Sequence, residues 1–221
     1  MASLISEEDR KYLKEQFEKD LKNKVKIVVF TDDSPDCKYC NETLEITKEL
    51  GELSSLISVE NYNLTDSIAK NFNVEFAPTT IITDEKESMG GRIRYTGIPA
   101  GYEFSSLIED VISISSGKLE LNDHVLEHLD EVDKPIKIQV FVTPTCPYCP
   151  KAVRVAHKFA QYNENITGEM VEAIEFPDRA DKYGVQSVPH IVINENVQFI
   201  GAYPEEKFIE YIMEAYKKYK N

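Results

Sequence analysis

Residues 136–149 read Ile136-Lys137-Ile138-Gln139-Val140-Phe141-Val142-Thr143-Pro144-Thr145-Cys146-Pro147-Tyr148-Cys149. A short apolar run rich in β-branched residues suits a buried strand. It leads through a proline-containing turn into a Cys-x-x-Cys motif. Val153, Val155, Phe159 and Tyr162 then recur at helical spacing. The stretch therefore predicts strand, cysteine pair, helix, with Cys146 and Pro147 at the helix start, where proline is favoured.

The same order occurs once before. Val25–Phe30 is followed by Cys37-Lys38-Tyr39-Cys40, then by Leu44, Ile46, Leu50 and Leu53. Ala77-Pro78 places its proline 41 residues after Cys37, and Val188-Pro189 places its proline 43 after Cys146. Each copy continues with a further strand (Ser58–Leu64 or Met170–Phe176). Two paired strands come next, Thr79–Thr83 with Arg92–Tyr95, or His190–Ile193 with Val197–Ile200. A final helix closes each copy, Tyr102–Ile114 or Glu205–Tyr219. A repeat of about 109 residues is far too long for a solenoid unit and implies two complete domains. Extra helices precede both: Ser6 with Asp9 reads as a capping box, and Asn122–Asp130 as a second short helix. The breaker Ser115-Ser116-Gly117-Lys118 divides the chain into residues 1–117 and 118–221. The expected class is α/β, two tandem units, each a mixed central sheet flanked by helices.

The four cysteines of the 221-residue chain form only these two pairs. A disulfide across two residues closes too small a loop to stabilise much, so reactivity explains the pairs better than stapling does. A helix N-terminus stabilises a thiolate, and a second thiol one turn on can resolve a mixed disulfide. One zinc shared by both pairs is disfavoured, because 105 residues separate Cys40 from Cys146; a bridging iron–sulfur cluster fits less well still. No metal or other cofactor is expected beyond the redox-active disulfides.

Composition narrows the rest. Hydrophobic residues at 42% and charged residues at 29% describe an ordinary globular chain. The net charge of −14 argues against nucleic acid or an anionic membrane as partner. No apolar run approaches the ~20 residues of a bilayer span, and no leader segment is evident. The expected location is the cytoplasm.

Cys146-Pro147-Tyr148-Cys149 is similar to the active-site tetrapeptide of glutaredoxins. Ala77-Pro78 and Val188-Pro189 resemble the cis-proline step of the thioredoxin superfamily. The whole chain resembles the tandem protein disulfide oxidoreductases of thermophilic archaea and bacteria. That resemblance implies two thioredoxin-like folds and thiol–disulfide exchange with protein substrates. It implies Cys37 and Cys146 as nucleophiles and Cys40 and Cys149 as resolving thiols. Ala77, Pro78, Val188 and Pro189 would hold an extended substrate strand, with Tyr39 and Tyr148 flanking the sulfurs. A flavoprotein thioredoxin reductase would be the electron donor. The chain also resembles the tandem module of alkyl hydroperoxide reductase flavoproteins, which implies an electron shuttle serving a peroxiredoxin. A redox-regulated binding or chaperone-like module is a third, non-enzymatic reading. Two departures stand out. Gly201-Ala202-Tyr203-Pro204 replaces the glutathione-holding stretch of glutaredoxins. Thr31 and Val140 stand where thioredoxins carry a buried aspartate, leaving Glu42, Glu45, Glu60 and Glu172 as candidate proton acceptors.

The two sites should differ. Asp32, Asp33, Asp36, Glu42 and Glu45 crowd Cys37, while Lys151, Arg154 and Lys158 follow Cys149. Opposite charge favours a thiolate, so Cys146 is expected to have the lower pKa. If the potentials differ, electrons can pass between the pairs through a Cys37–Cys146 disulfide. Among the histidines, His124 and His128 read as a solvated helix face and His157 as core. His190, next to Pro189, is a candidate to tune the thiols.

Overall fold

A computed structural model describes residues 3–219; the outermost ends of the expected units, and of the N-terminal stretch searched for a leader, lie outside it. Helix α1 (Glu7–Asp20) is capped by Ser6, whose Oγ accepts the Asp9 N–H at 3.1 Å. The first repeat follows as β1 (Val25–Thr31), α2 (Cys40–Gly51), β2 (Ile57–Asn63), α3 (Ser67–Asn71), β3 (Thr79–Asp84), β4 (Ile93–Thr96) and α4 (Glu103–Ser116). Gly117 ends α4 in the left-handed conformation, at φ 67°. Helix α5 (Asp123–Asp130), capped by Asn122, introduces the second repeat. It runs β5 (Ile136–Val142), α6 (Cys149–Tyr162), β6 (Ile166–Glu172), α7 (Pro177–Lys182), β7 (His190–Ile193), β8 (Val197–Ile200) and α8 (Glu205–Tyr219).

The largest shift from expectation is in β6, which starts at Ile166 rather than Met170. Ile174 and Phe176 extend the apolar pattern, but the chain turns there, with the Glu172 carboxylate accepting the Glu175 N–H at 2.6 Å.

The described strands form one sheet in the order β2-β1-β3-β4-β6-β5-β7-β8. Each repeat supplies four, and β4 pairs in parallel with β6, from Ile93↔Gly168 to Thr96↔Val171. Gly168 permits this joint: a Cβ there would lie 2.8 Å from the Ala156 carbonyl oxygen and the His157 ring. Side chains alternate across the sheet. Val25, Ile27, Val29, Ile136, Ile138, Val140 and Val142 enter one large core shared with α1, α2, α4, α5, α6 and α8. Val28 and Phe30 face the other way, under α3, and Phe141 does the same under α7.

Polar groups fasten the joint on both faces. On the large-core face, Asp110 of α4 accepts the Tyr95 hydroxyl, pairs with Arg154 and meets His157 Nδ1 at 2.6 Å. Burial, with the Arg154 charge nearby, pushes His157 down to about 3, so the ring is neutral and donates. On the opposite face, Arg179 holds the buried Glu169 at 3.0 and 2.9 Å, joined by Thr96 and Lys137. Burial alone would raise this carboxyl; the pull of Arg179, with Lys137 and Thr96, outweighs it and holds Glu169 at about 2.

Candidate active site

The pairing directions set the geometry. β1, β2, β4, β5, β6 and β8 run one way, β3 and β7 the other. The C-terminal ends of β1 and β5 therefore open on the same edge of the sheet. The starts of β3 and β7 lie on that edge too, so Pro78 stands beside the end of β1 and Pro189 beside the end of β5. Both X-Pro bonds are cis.

Cys37 is disulfide-bonded to Cys40, and Cys146 to Cys149. The helices begin three positions after the first cysteine of each motif, later than the sequence suggested. Cys40 and Cys149 are the first helical residues, and Tyr39 and Tyr148 occupy the caps. Cys37 and Cys146 lie in the preceding turns, and Pro150, not Pro147, occupies the first turn of α6. The turns are closed by the Cys37 N–H to Ser34 oxygen and Cys146 N–H to Thr143 oxygen bonds, which delays the helical register.

The two centres differ in hydrogen bonding. Cys146 Sγ accepts the Cys149 N–H at 3.2 Å, a donor at the start of α6. In the first centre it is Cys40 Sγ that accepts a backbone donor, from Asp32, at 3.2 Å. Cys146 is buried, Cys37 half-buried. The cations after Cys149 are partly engaged elsewhere: Arg154 pairs with Glu109 and Asp110, and Lys158 with Glu205. The expected advantage of Cys146 therefore rests on the helix-start N–H and Lys151 more than on a free basic face.

Tyr148 is 71% exposed and Tyr39 42%, both beside the sulfurs. Tyr39 lines a cleft of about 350 Å³ with Glu42, Ile98 and Phe104. His190 does not face the thiols. It is buried edge-on to Phe141, on the α7 side, with Nε2 2.9 Å from Gln198 Oε1. His157 is core, as expected, but polar core. His128 is only half-buried beside the exposed His124, with ring centroids 4.5 Å apart.

Of the four candidate carboxylates, Glu60 pairs with Lys26 at 3.0 Å and bonds Tyr62, which packs on the α3 cluster. Glu45 lies in an open surface cluster with Arg10 and Lys48. Glu42 and Glu172 belong to the region between the centres, where both act on Glu175. Two further acids escaped the sequence reading. Glu103 is buried in the first turn of α4, and burial pushes its carboxyl up to about 7 against a bond from Ser106. Its neighbour Tyr102 donates its N–H to Pro144, in the turn before Cys146. Glu175, on the β6–α7 turn, is likewise raised to about 7, by burial first and by Glu172 and Glu42. Glu103 looked like an ordinary first-turn acid; only its burial distinguishes it.

Four strand intervals separate β1 from β5. At ~4.8 Å each, the centres lie roughly 19 Å apart along the edge. A disulfide needs Cα atoms within about 7 Å. The expected direct Cys37–Cys146 transfer does not fit this arrangement within one chain.

Comparison with known proteins gives a consistent pattern. A thioredoxin-domain family model matches residues 136–214. A thioredoxin of Methanocaldococcus jannaschii is 41% identical over 78 residues, covering 35% of this chain and 92% of that protein. The crystal structure of a protein disulfide oxidoreductase from Aeropyrum pernix superposes with a TM-score of 0.89 at 37% identity, over 97% of this chain and 94% of that one. The alkylhydroperoxide reductase AhpF of Enterococcus faecalis gives 0.83 at 27% identity, over 93% of this chain and 97% of that one. The chain spans only 28% of the length of some curated relatives, an NADH dehydrogenase of Ferdinandcohnia aciditolerans among them.

Proposed function

The chain belongs to the protein disulfide oxidoreductase family, and from that premise we propose that it exchanges thiols and disulfides with other proteins at two separate centres. The observation that carries this reading is the pair of Cys-x-x-Cys disulfides that follow β1 and β5 on one sheet edge, where the neighbouring strands β3 and β7 start just after cis X-Pro steps. In the reducing direction, the Cys37 or Cys146 thiolate attacks a client disulfide and forms a mixed disulfide. The displaced client sulfur takes up a proton. The Cys40 or Cys149 thiolate then attacks the mixed disulfide, releasing the second client thiol and closing the internal disulfide. Two electrons pass to the client, and reversal oxidises it. Ala77 and Val188, beside the prolines, offer backbone to an extended client strand. Tyr39 and Tyr148 supply exposed aromatic surface beside it.

Glu103, a buried carboxyl whose neighbour Tyr102 bonds Pro144 in the turn before Cys146, is the proposed acceptor of the resolving thiol's proton in the second centre. A flavoprotein thioredoxin reductase is the proposed electron donor. A second reading, an electron shuttle from a reductase to a peroxidase of the peroxiredoxin type, is favoured by the similarity to the alkylhydroperoxide reductase AhpF. Insulin-disulfide reduction by wild type, Cys37→Ser and Cys146→Ser, run beside refolding of a scrambled protein, tests the proposal. Reduction and reshuffling by at least one centre support it. Reduction without reshuffling supports the shuttle, and neither activity leaves the binding module.

A further inference from the structure

The two repeats hold their prolines in the same way, with one difference. Gly97 donates its N–H to the Pro78 carbonyl at 2.9 Å, and Gly201 does the same for Pro189 at 2.9 Å. Both glycines have positive φ, 100° and 111°. Around Gly201 the space where a Cβ would stand is open. Around Gly97 it is filled by the second repeat: Glu172 Cβ would lie 2.5 Å away and Glu175 Oε1 2.9 Å. The next residue, Ile98, donates its N–H to Glu175 Oε1 at 2.6 Å. Glu172 Oε2 in turn accepts the Glu175 N–H at 2.6 Å, fixing the turn that carries it. Glu172 is 3% exposed, and its Oε1 is buried without a hydrogen-bond partner.

We propose that Glu175, seated by Glu172, is a positioning residue for the first disulfide centre: carried on the second repeat, it fixes the Gly97–Ile98 segment that holds Pro78. This deepens the functional reading above and rests on it. The second centre has no equivalent among the described residues, so the two centres differ in a feature that the motif does not encode.

The segment also reaches the cysteine helix. Ile98 lines the cleft with Tyr39 and Glu42 of the first centre. The charges acting on Glu175 are acidic, Glu172 from β6 and Glu42 from α2. From the β4–α4 segment it meets the Ile98 N–H and the Gly97 backbone, neither of them charged. On α7, Arg179 is engaged by Glu169 on the opposite face of the sheet. Ionisation of Glu175 thus adds a third negative charge beside the wall of the first centre. That charge disfavours the Cys37 thiolate.

The test uses the full chain with the second centre silenced as Cys146→Ser/Cys149→Ser, reduced, reacting with an aromatic disulfide from about pH 5 to 9. The parent should show an inflection close to neutral pH, where the rate rises less steeply, besides that of the thiol. Glu175→Gln should lose this inflection while keeping Ile98 amide protection in hydrogen exchange. Glu175→Ala should lose both the inflection and the Ile98 protection, since alanine can neither ionise nor accept the Ile98 N–H. The complementary Cys37→Ser/Cys40→Ser chain should be indifferent to Glu175→Gln. A Glu175→Gln profile that superimposes on its parent, or the same change at the second centre, would overturn the proposal. The probe is a small disulfide, so a failure of insulin turnover counts against the functional reading and leaves this readout intact.

Discussion

Cys37 and Cys146 share a motif but not an environment. Cys146 Sγ has a helix-start N–H, and Lys151 stands in the first turn of that helix. Cys37 has Asp36 and Lys38 beside it, and in its centre the backbone donor goes to Cys40 instead. Alkylation rate against pH on single-centre variants should give Cys146 the lower pKa; an equal or lower value at Cys37 removes the argument. Glu103 makes a stability prediction. Its folded carboxyl is raised from 4.5 to about 7, so it adds no penalty below pH 4.5 and an increasing one between the two values. Glu103→Gln keeps a partner for Ser106 and lacks the charge. It should be about as stable as wild type near pH 4 and more stable at pH 8, by at most about 3 kcal/mol at ~1.4 kcal/mol per unit. Denaturant midpoints at the two pH values measure this. The cysteine pairs were legible because their repeated spacing carries them, and the cis X-Pro steps because the resemblance to the thioredoxin superfamily implies them. Glu103 and Glu175 were not, because an acid that is buried by a distant element looks like any surface acid in sequence.

At the scale of elements, the repeated hydrophobic pattern placed most strands and helices within a residue or two. It missed the short helices α3 and α7, the turns that intervene before Cys40 and Cys149, and the end of β6 at Glu172, past which apolar residues continue. Nothing in the pattern announced that β4 would pair with β6. Gly168 is the one local trace, a glycine inside an otherwise β-prone run. Gly168→Ala would press a methyl group against the α6 backbone and should cost about 1–3 kcal/mol, read from the unfolding midpoint. Arg179→Met removes the main partner of the buried Glu169 and should cost about 3–5 kcal/mol at neutral pH. Glu169 titrates at about 2 in the folded chain, below its ordinary value. Its contribution is therefore complete above pH 4.5 and fades as pH falls toward 2. The loss in Arg179→Met should shrink over the same window, which thermal melts in acid can follow.

At the scale of the whole molecule, one sheet and one large core run through both repeats. Residues 1–117 expressed alone would leave the β4 edge unpaired and Asp110 without Arg154 and His157. Calorimetry should show one cooperative transition for the full chain and a lower, concentration-dependent one for that fragment. No described helix is long and apolar enough to cross a membrane. The shared edge has a consequence for how a client is handled. Roughly 19 Å is the length of about six extended residues. A polypeptide held at one centre by a mixed disulfide therefore brings any cysteine more than about six residues away within reach of the other. That second encounter is intramolecular, at an effective concentration set by the tether and not by the solution. Loops with several cysteines become bivalent ligands, and their residence on the protein lengthens with the number of sulfurs they carry.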